Sequence, residues 1–248
     1  MNHLAIFFAV PVLYAGIQAL ELTAVLARIS GTKCGAPMLG FSIQQTVYMG
    51  TRLLLVAMLP MLGYLVDSGI SLRNFAIMSH ASLLLAGILG SVVLVNRRRL
   101  VSYYIGVIVS YKENHSLWRA FLKPHFNGNG KDKVSSFAFG TLKDKEARKI
   151  FFYALIVFVI YASGVFLSFY ISAAIPEYRA TLSQMSGIFN ALGAFLLTFI
   201  LEPKISSRID DRAENASDLI MALFLGRLFA IALVAQVFIF TMFWLINV

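Results

Sequence analysis

Six apolar runs, near residues 4–27, 36–68, 75–95, 150–175, 180–202 and 219–247, set the first limit on what this chain can become. Each is about 20 residues or longer, and at about 1.5 Å of rise per residue a helix of that length matches a hydrocarbon core roughly 30 Å thick. Inside lipid every backbone N–H and C=O needs a partner within the protein, which a continuous helix supplies. The expected fold class is therefore all-α, a polytopic membrane protein with about six transmembrane helices forming a single integral membrane domain over residues 1–248. Composition agrees: 59% of residues are hydrophobic and only 13% charged, against about 25% charged in ordinary soluble domains. Met1, Asn2 and His3 include no Lys or Arg, and Glu21 and Arg28 occupy the place where a signal-peptide cleavage site would lie, so the first run is read as a retained span. A single cysteine, Cys34, excludes an internal disulfide and any multi-cysteine metal or iron–sulfur centre.

Of the 21 basic residues, twelve fall between Arg97 and Lys149. Cytoplasmic loops of membrane proteins are enriched in Lys and Arg, so the 97–149 connection is placed in the cytoplasm. Alternation then puts Arg28, Lys33, Lys204, Arg208 and Arg212 on the same side and both termini outside. The formal charge of +9 follows from this topology or from attraction to anionic membrane lipids, and not from nucleic acid. Within the loop, Leu100–Val109 is apolar but too short to span, and it leads to Lys112, Trp118, Arg119 and Phe121, a composition suited to an interfacial helix or a shallow dip into the bilayer. Lys123-Pro124 and the Asn127–Lys131 stretch break any helix, and a charged helical pattern resumes from Lys143 to Lys149.

Charges inside the apolar runs are the second constraint. Glu21, Arg28, Arg52 and Arg227 each cost roughly 2.5–3.5 kcal/mol near a helix centre on insertion scales, so such residues are kept for a polar task. Tyr14, Gln18, Glu21 and Arg28 recur at spacings of 4, 3 and 7, and Gln44, Tyr48 and Arg52 at 4 and 4. Those spacings put each set on one helix face. Ser183, Gly187, Asn190, Thr198 and Glu202 form a third stripe. Such stripes are expected to face the bundle interior, because lipid offers them no partner. Two readings of the charges stay open. Glu21 can neutralise Arg28, Arg52 or Arg227 and fix helix register. Alternatively the excess of three in-span arginines over one glutamate, with Asp67 and Glu202 near span ends, binds an anion, for which the planar guanidinium suits phosphate. His80 reads as a packing residue, and Gln236, nine positions from Arg227, serves a different contact.

No metal-spaced His or Cys cluster, Gly-rich phosphate loop or nucleophile elbow is present, so neither an enzyme nor a cofactor is expected. Three spans on either side of the basic loop make the halves candidates for an inverted repeat. Gly31 and Gly35 permit close helix approach and leave a homo-oligomer open.

Leu20–Asp67, carrying Glu21, Arg28, Gly31, Gly35, Thr51-Arg52, Pro60, Gly63 and Asp67, resembles the N-terminal half of the Amj family, the alternative lipid II flippases of bacteria. Pro176-Glu177-Tyr178-Arg179, Ser183-Gln184, Ser186-Gly187, Asn190 and Glu202-Pro203-Lys204 resemble that family's fifth-helix region, and Gly226-Arg227 with Gln236 its last span. Residues 97–149 carry no part of the resemblance, and Leu225-Gly226-Arg227 stands where a Gly-Ser-Arg is expected. The resemblance implies a transporter in the bacterial cytoplasmic membrane. Its cargo would be lipid II, an undecaprenyl pyrophosphate bearing a disaccharide pentapeptide, moved from inner to outer leaflet for peptidoglycan synthesis. On that reading Arg28, Arg52 and Arg227 hold the pyrophosphate, with Glu21, Gln18, Gln44, Tyr48 and Asn190 also lining the substrate site. Asp67 and Glu202 serve gating or charge pairing. A different polyprenyl-linked glycan, or a purely structural membrane protein, are the alternatives.

Overall fold

The computed structural model describes residues 3–125, 139–211 and 215–246, and among them it is helical, with six helices long and apolar enough to cross a membrane. Three spans form the first half: α1 (His3–Lys33), α2 (Pro37–Asp67) and α3 (Leu72–Val95). After α4 (Arg97–Asn114) and α5 (Leu117–Leu122), the second half begins with α6 (Lys145–Ala174). Its fifth span, Pro176–Asp210, is built from α7 (Arg179–Leu196) and α8 (Glu202–Asp210), and its sixth from α9 (Ala216–Phe229) and α10 (Ala235–Ile246). The fifth span thus runs past the 180–202 stretch marked by hydropathy, because the amphipathic α8 extends it toward the basic end of the bundle.

Local chemistry sets the helix ends. Pro37 sits in the first turn of α2, where its missing N–H costs nothing. The Ser71 hydroxyl accepts from Asn74 N at 3.3 Å to start α3, and Asp144 Oδ2 accepts from Ala147 N at 3.1 Å to start α6. Gly35 at φ 63° closes the tight turn between α1 and α2. The short connections make α2 antiparallel to α1 and α3 parallel to it, with both packed on α1.

In both halves the first span is the hub. The helix α1 packs on α2 and α3, and α6 packs on α7 and on the sixth span. Two apolar clusters fill the interior. One, around Leu22–Ile29, Val107 and Leu219–Phe224, lies toward the end carrying Lys33, Arg97 and Lys145, called here the basic end. The other, around Val10, Met58, Phe75, Phe166 and Tyr170, lies toward the opposite end. Across the halves, the Tyr14 hydroxyl donates to Ala162 O at 2.9 Å, and the Tyr14 and Phe166 rings meet edge-on at 4.8 Å between centroids. Large side chains such as Leu53, Val56, Ile188 and Phe199 point outward, as lipid-facing residues do.

Close backbone contact replaces hydrophobic drive inside a bilayer. A Cβ on Gly31 would stand 2.6 Å from Gly40 Cα and 2.9 Å from Ala36 O. Gly31 is therefore used within the chain, and Gly35 in a turn. Gly31→Ala forces the α1–α2 backbones apart and is expected to destabilise by about 1–3 kcal/mol, read as a lowered midpoint in thermal unfolding of the purified protein.

The α4–α5 segment is ordered and docked. Its face of Val101, Tyr104, Val107 and Ile108 is buried, Ser30 Oγ lies 3.0 Å from Val101 O, and the hydroxyls of Thr23 and Tyr104 are 3.1 Å apart. A helical hairpin returns from it: Tyr103 donates to Phe121 O at 2.7 Å and His125 N to Gly106 O at 3.2 Å. Trp118 and Leu122 remain outside the packing. The helix break at Lys123-Pro124 is present, whereas the Asn127–Lys131 stretch lies outside the described residues.

Candidate functional site

Gln18 and Glu21 sit midway along α1, and Thr51 and Arg52 midway along α2, so the charges gather at the centre of the bundle in depth. There, from a separation of 206 residues, Arg227 on α9 donates through Nη2 to Glu21 Oε2, and also to Gln18 Oε1 at 2.8 Å. Glu21 Oε1 accepts from the Thr51 hydroxyl at 2.8 Å. All four residues are buried. The Arg227 guanidinium is flanked by the rings of Phe158, 4.5 Å to the centroid, and Tyr48, 5.9 Å, whose π faces favour a desolvated cation. Gly226 makes this approach feasible: a Cβ there would lie 2.5 Å from Phe151 O on α6.

A second tier lies seven residues further along α1, about 10 Å nearer the basic end. Arg28 Nη1 donates to Glu202 Oε2 at 2.6 Å and Nη2 to the Ser206 hydroxyl at 3.0 Å, with the Phe41 ring 5.1 Å away. Glu21 and Arg28 share one helix face, as their spacing predicts, but they answer different partners on different spans of the second half.

Both tiers open on one narrow cleft of about 60 Å³, lined by Glu21, Tyr48, Arg52, Tyr161, Thr198 and Glu202 among others. It lies between α2 and α7, which scarcely touch. Arg52 stands exposed at this lateral mouth and has no ion-pair partner among the described residues. The internal pairs consume Arg28 and Arg227, so the excess cation is Arg52. Further along the same face of α2, Gln44 is fully buried, and neither its amide nor the Tyr48 hydroxyl attains hydrogen-bond geometry with a partner among the described residues.

Other expected site residues fall elsewhere. Asp67 pairs with Arg179 at 3.6 Å, at the opposite end of the bundle. Asn190, Ser183 and Gly187 do not line the cleft, although Thr198 and Glu202 of the same stripe do. The reason is depth: Gly193, Ala194 and Leu197, three, four and seven residues past Asn190 on its helix face, line the cleft, whereas Ser183, Gly187 and Asn190 lie further toward the opposite end. The span carries a π turn at Leu197–Leu201, one of two among the described residues, the other being Ala230–Val234, and the cleft is lined from both sides of it, by Ala194 and by Glu202. His80 and Gln236 bond to each other at 2.7 Å, away from Arg227. Sequence reasoning missed Ser206, which its i+4 spacing from Glu202 could have revealed, and Tyr161, which carries no polar pattern. Among the described residues no three His, Cys, Asp or Glu side chains are placed to hold a metal ion.

Comparison with known families matches residues 13–248 to the family described as Amj, alternate to MurJ. This chain belongs to the Amj family. The Amj match runs through residues 97–149, which the resemblance read from sequence had left out, in keeping with the α4–α5 hairpin docked on α1. The lipid II flippase Amj of Bacillus subtilis (strain 168) is 23% identical over 211 residues, covering 80% of this chain and 78% of that protein. No solved structure matches this Amj protein.

Proposed function

We propose that this protein is a lipid flippase that carries lipid II, or a closely similar polyprenyl pyrophosphate, across the bacterial cytoplasmic membrane. Its basic end lies in the cytoplasm and both termini outside, by the excess of Lys and Arg at that end. Family membership and the name of the Bacillus subtilis relative support the substrate class. The observation that carries the reading is the arginine left over at the lateral mouth. Arg52 stands at mid-depth without an ion-pair partner among the described residues, where a pyrophosphate arriving sideways from the leaflet would supply the missing anion.

In this conformation Glu21 and Glu202 act as resident counter-ions. They keep Arg227 and Arg28 from being buried and unpaired while the site is empty. A pyrophosphate presents several charged oxygens to planar guanidinium groups and so can take the place of the carboxylates. About 60 Å³ has room for only a few waters, so the cleft is closed here and cargo requires α2 and α7 to part. The polyprenyl tail stays in lipid outside that mouth, and Gln44 and Tyr48, buried without hydrogen-bonded partners among the described residues, offer hydrogen bonds to the headgroup as it passes.

The test is translocation of labelled lipid II in proteoliposomes. Arg52→Gln removes one charge-assisted contact of roughly 1.5–3 kcal/mol and is expected to slow translocation by about 10- to 100-fold. The fold is expected to be unchanged, since among the described residues Arg52 pairs with no carboxylate that would be orphaned. Full activity in Arg52→Gln would remove this residue from the mechanism, and a wild-type protein that binds lipid II yet never moves it would sink the flippase reading.

A further inference from the structure

A second polar feature lies on the other flank of α8. There α6, α8 and α9 enclose a groove of about 470 Å³ at the basic end, lined by Glu146, Lys149, Ile150, Pro203, Lys204, Ser207, Arg208 and Leu219. Its charges are not balanced internally. Glu146 accepts from Arg208 at 2.5 Å, which leaves Lys149 and Lys204 exposed and without a carboxylate partner among the described residues. Lys204 is nonetheless held in place, its ammonium 4.2 Å from the centroid of the Tyr153 ring. The Ser207 hydroxyl adds a donor. The floor is apolar, from Ile150 and Leu219, and further along α6 the exposed Phe152, Tyr153 and Ile156 continue an apolar track into the depth of the membrane.

We propose that this groove binds the phosphate headgroup of an anionic phospholipid from the leaflet at the basic end. Lys149, Lys204 and Ser207 line one groove at the end of the bundle where a leaflet's phosphates lie, and an apolar track leads from it in the direction of the acyl chains. The volume falls in the range of ordinary ligand sites. Arg28 and the cleft are on the opposite flank, since Glu202 and Ser206 face α1 whereas Lys204 and Arg208 face the groove. The site is thus separate from the cargo path and does not depend on which lipid is carried.

Native mass spectrometry of the purified protein tests this. The probes are phosphatidylglycerol, phosphatidylcholine with the same acyl chains, and water-soluble glycerol 3-phosphate. Phosphatidylglycerol is expected to saturate at one tightly held molecule per chain, with phosphatidylcholine and glycerol 3-phosphate far weaker. Each basic residue near a membrane surface contributes about 1 kcal/mol, so Lys149→Gln with Lys204→Gln should weaken that binding by about tenfold or more. Arg98→Gln with Arg99→Gln, a pair of cations outside the groove, is the control and should leave it unchanged. Equal loss in the control pair would mean diffuse surface charge and overturn the site. So would equal binding of phosphatidylcholine, or an unaffected Lys149/Lys204 double variant. Glycerol 3-phosphate held as tightly as the lipid would overturn the lipid assignment in favour of a free phosphate ester.

Discussion

Arg227→Ala is expected to abolish lipid translocation and to destabilise the protein by about 3–5 kcal/mol, the usual consequence of leaving one member of a buried ion pair behind. The carboxylate of Glu21 would remain buried, holding only the Thr51 hydroxyl, and Gln18 Oε1 would lose its donor. Stability and function can be separated in the same background. Adding Glu21→Gln removes the stranded charge, so unfolding in detergent should recover a large part of the loss, while lipid II flux in liposomes should stay at the protein-free level. Recovery of both together would mean that Arg227 contributes structure alone.

The second large effect comes from replacing the whole midplane group. Gln18→Leu, Glu21→Met and Arg227→Leu combined exchange a desolvated polar network for apolar side chains of similar size. Such exchanges are often neutral or stabilising by about 1–4 kcal/mol. Thr51 is not orphaned by the change, because the Tyr48 carbonyl lies 2.9 Å from its hydroxyl. The triple variant is expected to insert, to unfold at or above the wild-type temperature, and to transport nothing. A triple variant with normal flux would reduce the pair to a device for helix register and exclude the exchange of Glu21 for a pyrophosphate.

How far the sequence could be read depended on the range of the physics involved. The spans were legible because hydrocarbon thickness acts on each run separately, and the observed helices contain nearly all of each run, with larger margins where α8, the end of α1 and the charged start of α6 leave the apolar zone. The in-span charges were legible as a set, since their cost is local. Their pairing was not: Glu21 meets Arg227 and Arg28 meets Glu202 across 206 and 174 residues, and helical spacing says nothing about which helix stands opposite. The stripe through Asn190 was legible in part: its spacing marked a helix face, but not the depth at which that face reaches the cleft, whose lining on α7 is Gly193 and Ala194. The α4 helix was half legible. Its length marked it as non-spanning, but its docking on α1 through Val101, Tyr104 and Val107 needed the partner surface.

The order of signs in the two tiers restricts how the halves can move. Going toward the basic end, the first half presents Glu21 and then Arg28, while the second presents Arg227 and then Glu202. A slide of one tier in one direction would bring Arg28 beside Arg227, and in the other it would bring Glu21 beside Glu202. Either meeting sets like charges together in a medium that screens them poorly. Translation along the membrane normal is therefore opposed in both senses, whereas a tilt that opens one tier at a time separates opposite charges one pair per step. The pattern works as a keyed joint that resists shear and permits rocking.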